Sequence, residues 1–412
     1  MLILGLSERS YLGSNEGETV FDSGVRTRRA VIAGAGIAGL ATALRLHRAG
    51  WQVLVVERAP ARRSSGYLVN LLGSGYDAAA GLGVLERLAQ RDLGMFTSIL
   101  VRADGREKLT VPAAFATAAL GPRALTVFRG DLESALFEAL PEDVTVRFGI
   151  TVQAVDQDQD EVRIGLSDGS RQRAELLVGA DGLHSGVRGI VFGPEDEFRV
   201  DMRHLVGAFP LDRVPGEVPD AAAATFIGPG RTAAVINLGP QRASAFFTYR
   251  HDDPASELRD GPVAALSAAF GDLGGAVPAA LHQLAADPGA AYFDSVSQVV
   301  MDTWSRGRVV LLGDAAWCVT LFAGHGAALA LAGADRLGAA LDDHDVPAAL
   351  IHWEAALRPE VRKRQALARR GMSQYAPRSE AHIWVRDLMI RAIQLPGIRG
   401  LVERSIQRAS RS

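Results

Sequence analysis

Three glycines and a glutamate set the first chemical constraint on this chain. Gly34, Gly36 and Gly39 fall at the G-x-G-x-x-G spacing directly after a short apolar run, Ala30 to Ala33, and Glu57 closes a second apolar run, Val53 to Val56. The spacing predicts a strand, a tight turn, a helix from about Ile37 to Ala49 stopped at Gly50, and a second parallel strand. In such a unit the first glycine permits the turn, the second lets the backbone approach a pyrophosphate, and the third lets helix and sheet pack closely. The helix start attracts phosphate charge, and a carboxylate about 20 residues further on can accept from a ribose hydroxyl. Residues 29–57 therefore predict a dinucleotide site.

Two further groups of polar residues sit at strand ends. Leu177-Val178 runs into Gly179-Ala180-Asp181-Gly182, followed by Ser185 and Arg188, and the apolar Val309 to Leu312 runs into Gly313-Asp314-Ala315-Ala316. Beyond an irregular stretch, Gly324-His325-Gly326 opens a helix of small residues expected to reach about Leu341. No second G-x-G-x-x-G marks a separate nicotinamide-nucleotide domain.

A chain of 412 residues is too long for one simple core, and 48% hydrophobic with 22% charged residues is ordinary globular composition. A net charge of −3 gives no reason to expect nucleic acid, and a single cysteine, Cys318, excludes a disulfide framework and fits a cytoplasmic location. No apolar run is long enough to span a bilayer, so membrane insertion is not expected. No metal site is expected, since His184 and His352 lack ligand spacing. Residues 96–111 read as strands and Pro112 to Pro122 as loop. A helix follows Arg129, with apolar residues at 132, 136, 137 and 140. Residues 144–178 read as a β-meander. Strands at 205–210, 222–227, 232–238 and 243–250 predict an antiparallel sheet, with a helix near 263–270. Helices are expected at 346–372 and at 380–395, the latter covering the core with Ile383, Trp384, Leu388 and Ile390.

Taken together, the three motif groups resemble the fingerprints of the class A, single-component flavoprotein monooxygenases with the para-hydroxybenzoate hydroxylase-like fold. The short segment from Gly66 to Asp77 is similar to bacterial members that modify polyketides and tetracyclines. The resemblance implies an α/β fold in which a Rossmann-like FAD-binding domain carries an inserted antiparallel β-sheet substrate domain and C-terminal helices. Its expected bounds are a loose extension at 1–28, a discontinuous FAD-binding domain at 29–95, 123–199 and 297–345, a substrate domain at 96–122 and 200–296, and C-terminal helices at 346–412.

It also implies residue roles. Gly34, Gly36, Ala38 and Gly39 would form the phosphate turn, Glu57 and Arg58 the adenosine end, and Arg62 and Arg129 would lie along the pyrophosphate and ribityl chain. Asp181 would sit near the pyrophosphate, Asp314 at the ribityl chain, and Gly324, His325, Gly326 and Ala327 at the isoalloxazine. The helix start at Gly324 to Gly326 supplies N–H groups where a reduced flavin is negative, which favours FAD over a nicotinamide as the tightly held cofactor.

The implied reaction takes electrons from NADPH or NADH and oxygen from O2, and hydroxylates or epoxidises a small aromatic or polyketide-like molecule in secondary metabolism. The expected assembly is a monomer or homodimer. Here the family's proline and Gly-Gln-Gly are replaced within Trp317 to Gly326. His325 is therefore the candidate catalytic residue, donating to a flavin oxygen or stabilising the reduced anion. Val319, Leu321, Phe322 and Ala323 could form a dry wall. Candidate substrate residues are Phe209, Asn237, Phe246, Thr248, Trp317 and Phe322. The same replacement keeps open an FAD-requiring [4+2] cyclase of the dialkyldecalin-forming type, in which the flavin is mainly structural.

Overall fold

The structure is a computed structural model that describes residues 28–62, 67–120, 123–216, 218–240, 242–320, 322 and 324–393. The expected N-terminal extension, apart from Arg28, lies outside the described residues, as do Gly66, Leu321, Ala323 and the chain beyond Ile393. Strand Arg29–Ala33 pairs in parallel with Gln52–Glu57 on one side and Leu176–Gly179 on the other. Thr145–Phe148 and Val309–Leu311 extend this sheet in parallel, and Ser305–Arg306 adds an antiparallel edge to make six strands. Neighbouring residues Val31 and Ile32 are both buried, as are Leu177 and Val178. Both faces of this sheet are therefore covered, which is why its strands read as continuous apolar runs. Helix Ile37–Arg48 packs against helix Gly326–Asp343, which returns from far along the chain.

The region expected as one meander divides between two sheets. Val152–Gln157, Val162–Leu166 and Arg171–Ala174 form a three-stranded antiparallel sheet, while the flanking Thr145–Phe148 and Leu176–Gly179 belong to the parallel one. Glu175 separates the last two strands, so a run that looks continuous in sequence changes sheets there. The expected loop at 112–122 contains helix Ala113–Leu120, whose Ala-Ala-Phe-Ala-Thr-Ala-Ala-Leu sequence has high intrinsic helicity, with Pro112 at its entrance.

A seven-stranded sheet forms the second layer, in the order Tyr292–Val299, Arg199–Leu211, Ala243–Arg250, Arg231–Asn237, Ala222–Gly228, Thr97–Val101 and Glu107–Val111. All pairings are antiparallel except that of Ala222–Gly228 with Thr97–Val101. Its outer face, with Leu205, Phe209, Val235 and Phe247, packs against residues of helices Pro254–Phe270 and Val277–Ala286. Its inner face carries Val206, Ala234, Ile236, Phe246 and Val296, which meet Phe322, Met372 and Leu68.

Helix Val346–Tyr375 is stapled to the sheet by two buried glutamines. Gln298 Nε2 donates to the Gln365 carbonyl (3.0 Å), and Gln365 Nε2 donates to the Val299 carbonyl (2.8 Å). Helix Glu380–Ile393 covers less than expected. Ile383 is buried, but Trp384 is 66% exposed and Leu388 is exposed as well. Lys108 reaches across to Asp387 and ties this helix to the sheet edge.

Candidate functional site

The glycines act first on the protein itself. Gly34 has φ 104°, and a Cβ there would lie 2.3 Å from the Ala180 carbonyl oxygen; at Gly39 it would lie 1.9 Å from the Gly34 carbonyl oxygen. Both sit behind the turn, where side chains cannot fit, and neither faces open space. Gly36, by contrast, borders two clefts that meet at it and at Arg129.

The first cleft, of about 470 Å³, is lined by Glu57, Arg58, Arg62, Arg129, Glu133 and Phe148. Glu57 spans its floor: Oε2 accepts from the Ala35 N–H and Oε1 from the Ala59 N–H, both at 2.8 Å. Its carboxylate thus fixes the glycine turn and the chain after its strand, and each oxygen retains acceptor capacity. Arg62 donates to Ser134 Oγ (2.5 Å) and lies over the Phe137 ring. Arg129 pairs with Glu133 at 2.7 Å. Burial raises the Glu133 carboxyl above its ordinary range, opposed by Arg129.

The second cleft, of about 180 Å³, is lined by Gly36, Ala38, Arg129, Asp314, Gly324, Gly326 and Ala327, all foreseen from the sequence, and by Tyr67, Asn70, Tyr292, Cys318 and Thr320, which were not. Asp314 opens the short helix Asp314–Trp317 and is exposed to the cleft although deep inside the protein. That depth raises its carboxyl, opposed by Arg129. Burial pushes the Tyr67 phenol up to about 12 and Tyr292 well above its ordinary range, so both are hydrogen-bond donors at neutral pH. Their rings are 5.7 Å apart, one from each layer of the molecule.

Several expected site residues lie elsewhere. Asp181 does not line either cleft; its carboxylate turns into the start of helix Gly186–Val191, accepting from Ser185 Oγ (2.5 Å) and the Val187 N–H (3.1 Å). His325 contributes its backbone to the helix start and is not among the residues lining the second cleft; it borders a separate small pocket with Phe322, Arg364, Leu367 and Ala368. Trp317 is 1% exposed and packs with Trp304 and Trp353. Phe209 stands edge-on to Phe247 beneath the outer helices, and Asn237 spends its amide on the Val218 carbonyl and Asp220. Thr248 is fully buried, donating to the Leu205 carbonyl. Of the substrate candidates, Phe246, Thr248 and Phe322 sit on the side of the sheet that faces the clefts, where the inner-face residues meet Leu68 and Tyr292.

One clamp closes the cleft wall from outside. Leu183 lines the second cleft, and the neighbouring His184 bridges Glu195 (3.0 Å) and Asp294 (3.2 Å), the latter on the strand that carries Tyr292. The hydrogen bond to Asp294, with Glu195 assisting, raises the His184 pKa. Arg188 and Arg199 also face Glu195. Because the folded-state pKa is raised, this stabilisation is fully present below about pH 6.5 and is lost as pH rises through the folded value. The melting gap between the protein and a His184→Gln variant should be widest near pH 6 and close toward pH 9. A gap independent of pH would show that the charge is not what holds the clamp.

The comparisons with known proteins agree with this geometry. Residues 27–344 match the FAD binding domain family. The chain is an FAD-dependent monooxygenase. It is 30% identical over 379 residues to 2-heptyl-3-hydroxy-4(1H)-quinolone synthase of Pseudomonas aeruginosa, covering 91% of this chain and 96% of that one. It is 31% identical over 333 residues to an uncharacterized protein of Mycobacterium tuberculosis, covering 79% and 88%. Among solved structures, tetracycline destructase Tet(51) superposes with a TM-score of 0.75 at 25% identity, covering 93% of this chain and 97% of that one. Klebsiella pneumoniae HpxO complexed with FAD and uric acid gives 0.74 at 25%, covering 92% and 97%. The α/β fold with its additional sheet is the one expected. No helix among the described residues is long and apolar enough to cross a membrane.

Proposed function

We propose that the monooxygenase takes electrons from NADPH or NADH and hydroxylates or epoxidises a small aromatic or polyketide-like substrate in secondary metabolism. The observation that carries this reading is the pair of joined clefts. The first has a carboxylate fixed on its floor and arginines along its side, which suits an adenosine diphosphate. The second suits a flat heterocycle, with a helix N-terminus at Gly326 and an apolar sheet face nearby.

In this reading Glu57 accepts from the ribose, Arg62 and Arg129 neutralise phosphate charge, and Asp314 accepts from a ribityl hydroxyl. The N–H groups of helix Gly326–Asp343 favour negative charge on the ring edge before them. Bound FAD supplies the reduction of dioxygen and delivery of one oxygen atom to the substrate. The protein's part is to orient the substrate against that ring and exclude water. Ala223, Ala234, Ile236, Phe246 and Leu68 supply the apolar wall, and the Tyr67 and Tyr292 phenols supply hydrogen bonds to a polar substituent. The similarity to an enzyme named for a heteroaromatic quinolone product supports an aromatic substrate class.

Two of the departures that kept a cyclase in view, Trp317 and His325, are not among the residues that line this cleft. They leave its lining intact, and this favours oxygen transfer over a purely structural flavin. The test is oxygen and NAD(P)H consumption by the holoenzyme with candidate aromatic substrates, in air and anaerobically. Substrate-stimulated consumption of both, with an oxygenated product, is expected. Ring closure of a polyene at equal rate without oxygen or reductant would overturn the proposal.

A further inference from the structure

Thr320 carries two local penalties at once. Its φ is 85°, in the left-handed region that a β-branched residue rarely occupies. Its Oγ is fully buried and has no hydrogen-bond partner among the described residues, with the residue only 5% exposed. Buried hydroxyls are nearly always paired, so an orphan calls for an explanation.

The strain persists because the preceding chain is held carbonyl by carbonyl. Gln365 Nε2 donates to the Trp317 carbonyl (3.3 Å), Val299 N–H to the Cys318 carbonyl (3.2 Å), and Gln298 Nε2 to the Val319 carbonyl (3.3 Å). Three bonds from the sheet and the long helix thus fix the segment that delivers Thr320 to the wall of the second cleft, between Asp314 and Gly324. Strain over-determined in this way is a mark of a functional position.

We propose that Thr320 is a flavin-contact residue, its hydroxyl donating a hydrogen bond to a carbonyl oxygen or ring nitrogen of bound isoalloxazine. The inference rests on the reading that the second cleft holds the flavin ring. An isoalloxazine offers several acceptors along one edge; Thr320 lines the cleft with its Oγ behind the cleft surface, so the contact requires a rotation about χ1 that brings Oγ forward, and a hydroxyl with no partner in the protein loses no hydrogen bond by that rotation. The family's usual proline in this segment has no such donor, so the contact would belong to this chain and its departures from the pattern.

Holoenzymes of Thr320→Val, Thr320→Ser, Thr320→Gly and Gly36→Val test this, by FAD release on dilution and by the visible absorption bands of the flavin, without substrate. Valine keeps the branched shape and removes the hydroxyl. It should weaken FAD about 5-fold, the equivalent of one neutral hydrogen bond, and shift the bands. Serine should keep both near the parent. Glycine relieves the strained φ but lacks the donor, so it should show the same band shift as valine. Gly36→Val places a bulky group at the junction of the clefts and should weaken FAD whatever Thr320 does. Unchanged affinity and bands in Thr320→Val, with Gly36→Val weakened, would overturn the Thr320 contact and leave the cleft reading standing. Unchanged affinity in both would place the flavin elsewhere and overturn the contact with it.

Discussion

Replacing Arg188 by methionine is expected to destabilise the protein by about 2–6 kcal/mol, the cost of leaving two carbonyls inside the protein without their donor. Arg188 is 0% exposed. It donates from Nη1 to the Ala315 carbonyl (3.0 Å) and from Nη2 to the Leu183 carbonyl (2.7 Å), and pairs with Glu195 at 3.4 Å. Burial lowers its pKa from the ordinary arginine value, yet arginine stays charged in proteins. Methionine nearly matches the side chain's length but leaves both carbonyls without their donor inside the protein. Those carbonyls belong to the two strand-end turns that deliver Leu183 and Asp314 to the cleft. Lysine restores the charge without the fork, reaching one carbonyl but not both, and should recover only part of the loss. Urea denaturation of the three proteins measures this. An unchanged midpoint for Arg188→Met would mean that the two turns are held by the sheet alone.

The contrast between what could and could not be read from the sequence follows from the range of the interactions. The strand, glycine turn, helix and strand of 29–57 are specified by neighbouring residues: an apolar run, a steric requirement for missing side chains, and a stop at Gly50. Asp314 was legible for the same reason, since a strand followed by Gly-Asp must present the acid at the strand's end. Arg188 was visible as part of a motif, but one of its acceptors lies 127 positions away, and only the fold brings them together.

Two of the substrate residues, Phe209 and Asn237, failed on parity. Phe209 pairs with Ala245, so Phe209 and Phe246 point to opposite faces, and a register error of one residue would exchange them. Trp317 needed Trp304 and Trp353 to become a core residue. At His325 the sequence marked the start of a helix but held no information on which side its imidazole would leave. Tyr292, one of two phenols in the cleft, was overlooked because it opens the final strand of the seven-stranded sheet, close to the expected boundary between domains. Its alternation with Asp294 on one strand is the signal that could have found it.

Glu57→Ala should lower FAD affinity by about 10- to 150-fold, from hydrogen bonds to a charged acceptor worth about 1.5–3 kcal/mol. On the proposed reading that loss has two parts. One would be direct, the bond to ribose; the other is the loss of the two 2.8 Å bonds by which the carboxylate holds the Ala35 and Ala59 amides. Glutamine separates them. It retains one oxygen, so it can accept from one backbone amide or from ribose, but its NH2 group faces an N–H donor on the other side. Glu57→Gln should therefore fall close to the alanine variant and not midway to the parent. An aspartate, a methylene shorter, keeps the charge but cannot span both amides. FAD release on dilution of each holoenzyme measures the series. A glutamine variant that binds as the parent does would show that charge and the backbone bridge are both dispensable, and that the adenosine end lies away from Glu57.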